Sequence, residues 1–234
     1  MLSILFVIIA LAIAIILHEL AHGVVAYWLG DNTARWAGRL TLNPIKHIDK
    51  TGSIILPLVL ALGQILTLGH VAFMYGWAKP VPVNPSNLCF FGYRSARRLM
   101  AIVAIAGPAM NFLLALVGGL AVHAALALQS ESFLTFLSYF IQINLLLGLF
   151  NLIPLPPMDG GRIAVGVLPL PMAIRLAQLE KIGIAAVLLL LFIVPLALRQ
   201  AGIYFDPFNE AVGFVLPWAE HIVLLLTGND VGIN

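Results

Sequence analysis

Charge is what this chain has least of. Only 9% of its 234 residues are Asp, Glu, Lys or Arg, and 62% are hydrophobic. A soluble domain carries about 25% charged residues, so the composition excludes one and implies an integral membrane protein. No hydrophilic block is long enough for a separate soluble domain, so residues 1–234 read as a single membrane domain. Cysteine occurs once, as Cys89, which excludes an intramolecular disulfide framework and a cysteine-rich metal site. Cys89 sits in an Asn/Pro/Phe-rich loop with no acid–base partner nearby in sequence and reads as a bystander. The net charge is only +2, with no basic tract or zinc-finger spacing, which argues against nucleic-acid binding. Solenoid-like repeats and low-complexity tracts are also missing. No Lys or Arg precedes the apolar run at residues 2–17, and the run continues past any plausible cleavage point. That stretch therefore reads as a retained transmembrane helix rather than a signal peptide.

What is present is a series of apolar runs. Residues 3–29 form the first, long enough to cross a bilayer, and Gly30-Asp31-Asn32 stops it. Residues 52–75 are apolar but interrupted by Pro57, Gly63, Gln64, Gly69 and His70, so they either cross once or re-enter. Clear spans follow at 99–128 and 133–153, with accessory helices expected at about 182–198 and 208–227. Between the first two runs, Thr33 to Leu42 partly alternates, with Trp36, Leu40 and Leu42 apolar, which predicts a small membrane-associated β element. The prolines of Lys79-Pro80-Val81-Pro82-Val83-Asn84-Pro85 favour extended backbone.

Inside the first run lies Leu17-His18-Glu19-Leu20-Ala21-His22-Gly23, which contains His-Glu-x-x-His. On a helix, positions i and i+4 share a face, so His18 and His22 can offer two imidazole nitrogens to one metal ion. Glu19 is placed to act on water at that metal without being a ligand. Imidazoles and a carboxylate at membrane depth are disfavoured unless they have a role.

Charge asymmetry orders the topology. If the first helix ends in the cytoplasm and 52–75 returns to its starting side, eleven of the twelve Lys/Arg residues are cytoplasmic, leaving Arg199 outside. If 52–75 crossed instead, Arg94, Arg97 and Arg98 would be translocated and Asp159 would end opposite His18. The re-entrant course is the one expected. A catalytic zinc site usually has three protein ligands, and Asp159 is ionisable, near membrane depth and on the correct side. Its Pro-rich approach and Gly160-Gly161 exit permit irregular backbone around a site. Taken alone, it reads equally well as an Asx-turn or a helix N-cap. His70 and His123 are further candidate ligands, although a lone histidine in an apolar segment more often satisfies a backbone carbonyl. His47 reads as an ordinary loop histidine.

His18-Glu19-x-x-His22, followed far downstream by Asn151-Leu152-Ile153-Pro154-x-x-Pro157-Met158-Asp159-Gly160, resembles the site-2 protease family of intramembrane zinc metalloproteases. The likeness takes in Asn43-Pro44, the Gly76–Val81 stretch and Gly107-Pro108-x-x-Asn111, and covers about residues 3 to 170. Met158 stands where the family usually has Leu. The resemblance implies an all-α multi-pass membrane protein with a three-helix catalytic core (3–29, 99–128, 133–153). It implies His18, His22 and Asp159 as ligands of one Zn2+ per chain, Glu19 as the catalytic base, and Asn151 as a substrate-positioning or oxyanion residue. It also matches the 33–42 segment to a membrane-dipping β element, and the chain has no room for a PDZ or CBS domain.

The expected function is zinc-dependent endoproteolysis of transmembrane segments of other proteins within the lipid bilayer, as in regulated intramembrane proteolysis. The expected place is a prokaryotic plasma membrane, with the active site toward the cytoplasm. A substrate segment must unwind before attack, and an edge strand at 33–42 could hold it by β-addition. The competing readings are a metal transporter, or a non-catalytic scaffold, using the same His/His/Asp cluster.

Overall fold

The computed structural model describes residues 2–69, 76–93, 95–180, 183, 189, 194–200, 202 and 207–229. In chain order its helices are α1 (Leu2–Trp28), α2 (Thr33–Trp36), α3 (Leu56–Leu68), α4 (Ala96–Ala127), α5 (Glu131–Asn151), α6 (Asp159–Val167), α7 (Leu170–Gln178), α8 (Val194–Gln200) and α9 (Pro207–Leu226). Of these, α1, α4 and α5 are long and apolar enough to cross a bilayer. Helices α1, α4 and α5 pack mutually, and α6 docks on α4. The chain is an all-α multi-pass membrane protein built on three spanning helices.

The interior of this bundle is not where the largest apolar side chains go. Helix α1 buries Ala10, Ala14, His18, Ala21, His22 and Ala26 and exposes Leu2, Ile4, Leu5 and Ile8. Lipid tails are as apolar as leucine, so burying leucine between helices gains little there, whereas small residues let backbones approach and maximise packing. On α4, Gly118 sits against Phe140 and Ile141 of α5. A second cluster of Ala115, Ile141, Leu145, Ala219 and Val223 joins α4, α5 and α9. The expected helix at 208–227 is thus present as α9, while most of 182–198 falls outside the described residues.

Local signals account for the breaks. Helix α1 ends in a left-handed Gly30 (φ +94°), with the Asp31 N–H donating to Ala26 O at 2.9 Å. That is the six-to-one bond of a glycine-terminated helix. Ser130 Oγ caps α5 by accepting from the Phe133 N–H at 3.4 Å.

The β element expected at 33–42 is not there, and the described residues contain no strand beyond a single Phe90–Tyr93 bridge. Asp31 Oδ1 accepts from both the N–H and the hydroxyl of Thr33, at 3.0 and 2.5 Å, which starts the one-turn helix α2. Gly38 (φ +62°) then reverses the chain. Trp36, Leu40 and Leu42 make a weak period-two signal, and a strand with no partner gains no ladder to outweigh local hydrogen bonds.

Of segment 52–75, residues 52–69 are described; 70–75 lie outside the described residues. Asp49 accepts from the N–H groups of Thr51 and Gly52, opening a π-helical turn over Lys50–Ile55 that leads into α3. Helix α3 has 13 residues and ends at left-handed Gly69. The Trp77 N–H donates to Gly52 O at 3.2 Å, and Ser53 Oγ donates to Trp77 O at 2.8 Å. Trp77 therefore lies beside Gly52 and Ser53, at the end of the run that leads into α3.

Candidate metal centre

The spacing of His18 and His22 places both rings on the face of α1 that packs against α4. What lets α4 come close is Gly107. A Cβ added there would overlap the ring of His22 and lie 2.6 Å from Cε1 of His18. One turn on, Asn111 lies on the same face of α4, and its Oδ1 is 2.6 Å from His18 Nδ1. The Gly107-Pro108-x-x-Asn111 pattern thereby acquires a physical meaning: room for two imidazoles, then a partner for one. Pro108 lacks an N–H and interrupts the ladder in this turn. In the same turn Val103 O accepts from His22 Nδ1 at 2.7 Å.

These contacts decide which nitrogen of each ring carries hydrogen. Val103 O can only accept, so His22 Nδ1 is protonated. For His18 the assignment runs along a buried amide chain. Phe140 O can only accept, so Asn144 turns its Nδ2 there at 2.8 Å. That leaves Asn144 Oδ1 to accept from Asn111 Nδ2 at 3.0 Å, and Asn111 Oδ1 to face His18. Asn111 and Asn144 are wholly buried. Gly148, one turn beyond Asn144, lets α5 approach Asn111 and Phe112 closely enough for this bond. Both histidines therefore carry hydrogen on Nδ1 and direct Nε2 at the site.

The third member arrives from 137 residues away. Asp159 begins α6, and the two glycines after it are there for contact rather than for irregular backbone: added Cβ atoms would collide with the 152–153 carbonyls at Gly160 and with the Leu155–Pro156 backbone at Gly161. Arg97 of α4 fastens the far end of α6, donating to Val165 O at 2.9 Å and Leu168 O at 2.5 Å. Asp159 Oδ2 lies 3.1 Å from His18 Nε2 and 3.2 Å from His22 Nε2, and the two Nε2 atoms are 3.1 Å apart.

This triangle fits a metal ion. Asp159 Oδ2 is buried with no hydrogen-bond partner among the described residues, and three electron-rich atoms converge on one point. A tetrahedral zinc ion with ligand distances of about 2.0–2.1 Å spaces its donors by roughly 3.3 Å, close to the separations seen. Glu19 Oε2 accepts from the Val81 N–H at 2.8 Å. Beyond Val81 a cleft of about 560 Å³ opens between the 80–85 segment, the start of α4, and α6–α7, with Arg97, Arg162 and Glu180 in its wall.

The other candidates lie elsewhere. The side chain of Asn151 turns back on its own helix, Nδ2 donating to Leu147 O at 3.0 Å, so it is not part of this network. His123 Nε2 satisfies Thr227 O at 2.7 Å, and His47 is a buried loop residue bonded to Thr41 O at 2.9 Å. His70 lies outside the described residues. Sequence reading missed Asn144 and Val81. Asn144 had a signal, an amide inside an apolar span, of the kind that marked the histidines. A backbone N–H such as that of Val81 leaves none.

The profile of peptidase family M50 matches residues 118–194, which include the Asp159 turn. A protein of Bacillus subtilis (strain 168) named "Putative zinc metalloprotease YwhC" is 42% identical over 198 residues, 82% of this chain and 81% of that protein. Two proteins named "Putative zinc metalloprotease Rip2" also match. That of Mycolicibacterium smegmatis is 33% identical over 152 residues, and that of Mycobacterium tuberculosis (strain H37Rv) 30% over 156. These matches span 50% and 51% of the length of those two relatives. No solved structure matches the chain.

Proposed function

The chain belongs to peptidase family M50, the site-2 protease family of membrane metalloproteases, and from that premise we propose that it is an intramembrane zinc endopeptidase. Its substrates are the transmembrane segments of other membrane proteins, the whole chain forms one peptidase domain, and the setting is a prokaryotic plasma membrane. His18, His22 and Asp159 hold one zinc ion per chain, and Glu19 is the catalytic base. The observation that carries the reading is the buried His/His/Asp triangle, with edges of 3.1–3.2 Å, formed partly on a helix long and apolar enough to span the bilayer.

When bound, zinc supplies Lewis-acid activation of water and of the scissile carbonyl. The protein's part follows from the contacts above. Asn111 and Val103 hold His18 and His22 in the tautomer that leaves Nε2 unprotonated, and Asp159 contributes the negative charge. Glu19 takes a proton from the attacking water and delivers it to the leaving nitrogen. The cleft beyond Val81 admits water and the unwound substrate from the cytoplasmic side, consistent with Trp77 lying beside Gly52 and with the Lys/Arg distribution. Asn151 serves the reaction only by exchanging its bond to Leu147 O for one to the substrate or oxyanion.

The test compares membrane proteomes of cells expressing the wild type or Glu19→Gln. New N-termini inside apolar segments are expected only with the wild type, while the purified variant keeps one zinc per chain. Identical termini from both proteins, or wild-type termini confined to soluble loops, would overturn the proposal. Zinc flux through reconstituted vesicles would favour transport instead.

A further inference from the structure

Residues 76–84 form an extended strap beside α1, and its contacts alternate. Trp77 N–H donates to Gly52 O at 3.2 Å, Lys79 N–H to His47 O at 2.8 Å, and Val81 N–H to Glu19 Oε2 at 2.8 Å. In extended backbone, residues i, i+2 and i+4 turn their N–H groups to one edge, so 77, 79 and 81 make a single fastened edge. The opposite edge carries Pro80 and Pro82, which have no N–H to offer, so prolines keep that edge from pairing as a strand.

Two further anchors hold the strap, one at its middle and one at its end. Arg39, itself buried, donates from Nη2 to Lys79 O at 2.5 Å and lies 3.5 Å from Pro80 O. Asp31, fully buried, accepts the Asn84 N–H at 2.7 Å. Helix α1 is cut away to receive the strap. Gly23 is one turn beyond Glu19 on the same face, and a Cβ there would lie 2.9 Å from Val81 Cγ1 and 2.6 Å from Leu40 Cδ2. The Val81 side chain thus fills the notch at Gly23 while its N–H reaches Glu19.

We infer that Val81 is a positioning residue for the proteolytic reaction: its backbone N–H, presented by a strap that Arg39 and Asp31 clamp, immobilises one oxygen of the Glu19 carboxylate and leaves the other for proton transfer. This rests on Glu19 being the base. A carboxylate on a free side chain samples several rotamers, whereas one tied by a charge-assisted bond to a fixed N–H is held ready. The strap accounts for the Gly76–Val81 stretch and for Gly23, which the metal triangle leaves unexplained.

The test removes the donor, and a loss in Val81→Ala as large as that in Val81→Pro would assign the effect to the side chain at Gly23 and overturn the inference. Val81→Pro deletes the N–H in a stretch already flanked by prolines. Ala78→Pro makes the same change where the N–H has no partner among the described residues. Zinc-loaded full-length protein is reconstituted in vesicles with a fluorogenic peptide whose single apolar span is broken by Asn-Gly. Val81→Pro is expected to keep its zinc and melting temperature and to lose about tenfold in kcat with KM unchanged, and Ala78→Pro to match the wild type. Arg39→Ala is expected to lower kcat in the same way, and Arg39→Lys, which restores one donor to the Lys79 carbonyl, to recover part of it. Val81→Pro within twofold of wild type, or equal losses in both proline variants, would overturn the inference. A second arm needs no cleavage: amide hydrogen exchange at Val81 is expected to quicken about tenfold in Glu19→Ala, and an unchanged rate overturns the inference. A wild type that cleaves nothing while this arm succeeds counts against the peptidase reading and leaves the Glu19–Val81 bond standing.

Discussion

Helix α1 is supported differently on its two sides at the turn that carries His18, Glu19 and His22. Toward α4 and α5 the support comes from helices: Asn111, Asn144, Val103 and Gly107 are buried in long spans whose backbones are already hydrogen-bonded. Toward the strap it comes from irregular chain, held at Lys79, Val81 and Asn84 by Arg39, His47, Glu19 and Asp31. Metal ligands must meet within a few tenths of an ångström, and helix packing supplies that tolerance. In the proposed mechanism a base and a substrate path need groups that a helix would keep in its own ladder, and extended backbone leaves them available.

The sharpest way to break this contrast is Gly107→Val. The side chain would occupy the space of both imidazoles, so zinc stoichiometry by elemental analysis is expected to fall to near zero. Retained stoichiometric zinc would mean that α4 does not set the ligand geometry. Next in size is Asn144→Leu, which removes the anchor of the amide chain two residues away from the metal in hydrogen-bond connectivity. Chelator competition is expected to show zinc binding weakened roughly 10- to 100-fold. No change would reduce Asn144 to packing.

On the strap side, Asp31→Ala is expected to leave zinc affinity unaltered and to cost about 1–3 kcal/mol of stability, because buried donors lose their acceptor. A loss of zinc comparable to that in Asn144→Leu would erase the distinction between the two sides. The smallest effect is a pH dependence. Burial raises the Asp31 pKa, but the bonds from the Thr33 hydroxyl, Asn87 and the Asn84 and Thr33 N–H groups outweigh it and leave it lowered. A depressed folded pKa means that its stabilisation is complete above the unfolded value of about 3.9 and is lost as pH falls through the folded one. The melting-temperature gap between wild type and Asp31→Asn is therefore expected to hold from pH 7 to about 5 and to narrow below about 4. A gap that widens on acidification would contradict the assigned bonds.

Much of the metal half was legible because helical spacing is local. His-Glu-x-x-His places two rings on one face whatever the rest of the chain does, and long apolar runs announce spanning helices. The strand at 33–42 was misread for the converse reason. Pairing is a non-local property, and a few alternating residues lost to the Asp31–Thr33 hydrogen bonds at their start. Asp159 stood out as a candidate through its unusual setting, an acidic residue between Pro-Pro-Met and Gly-Gly beside a span, but only the structure brings it within 3.2 Å of both rings. Asn151 illustrates the limit, since an eight-residue offset from Asp159 does not say where its amide points, and it points to Leu147 O.

By itself, then, the sequence determined the solvent, the spanning helices and the face of α1 that bears two imidazoles, all through short-range periodicity and composition. Only the tertiary structure decided that Gly107 opens room for both rings, that Asn144 orients His18 through Asn111, and that the Val81 N–H meets Glu19. Those contacts join positions 33 to 93 residues apart in the chain. They depend on how closely two backbones approach and on which hydrogen each donor has left to give, and neither quantity exists until the chain is packed.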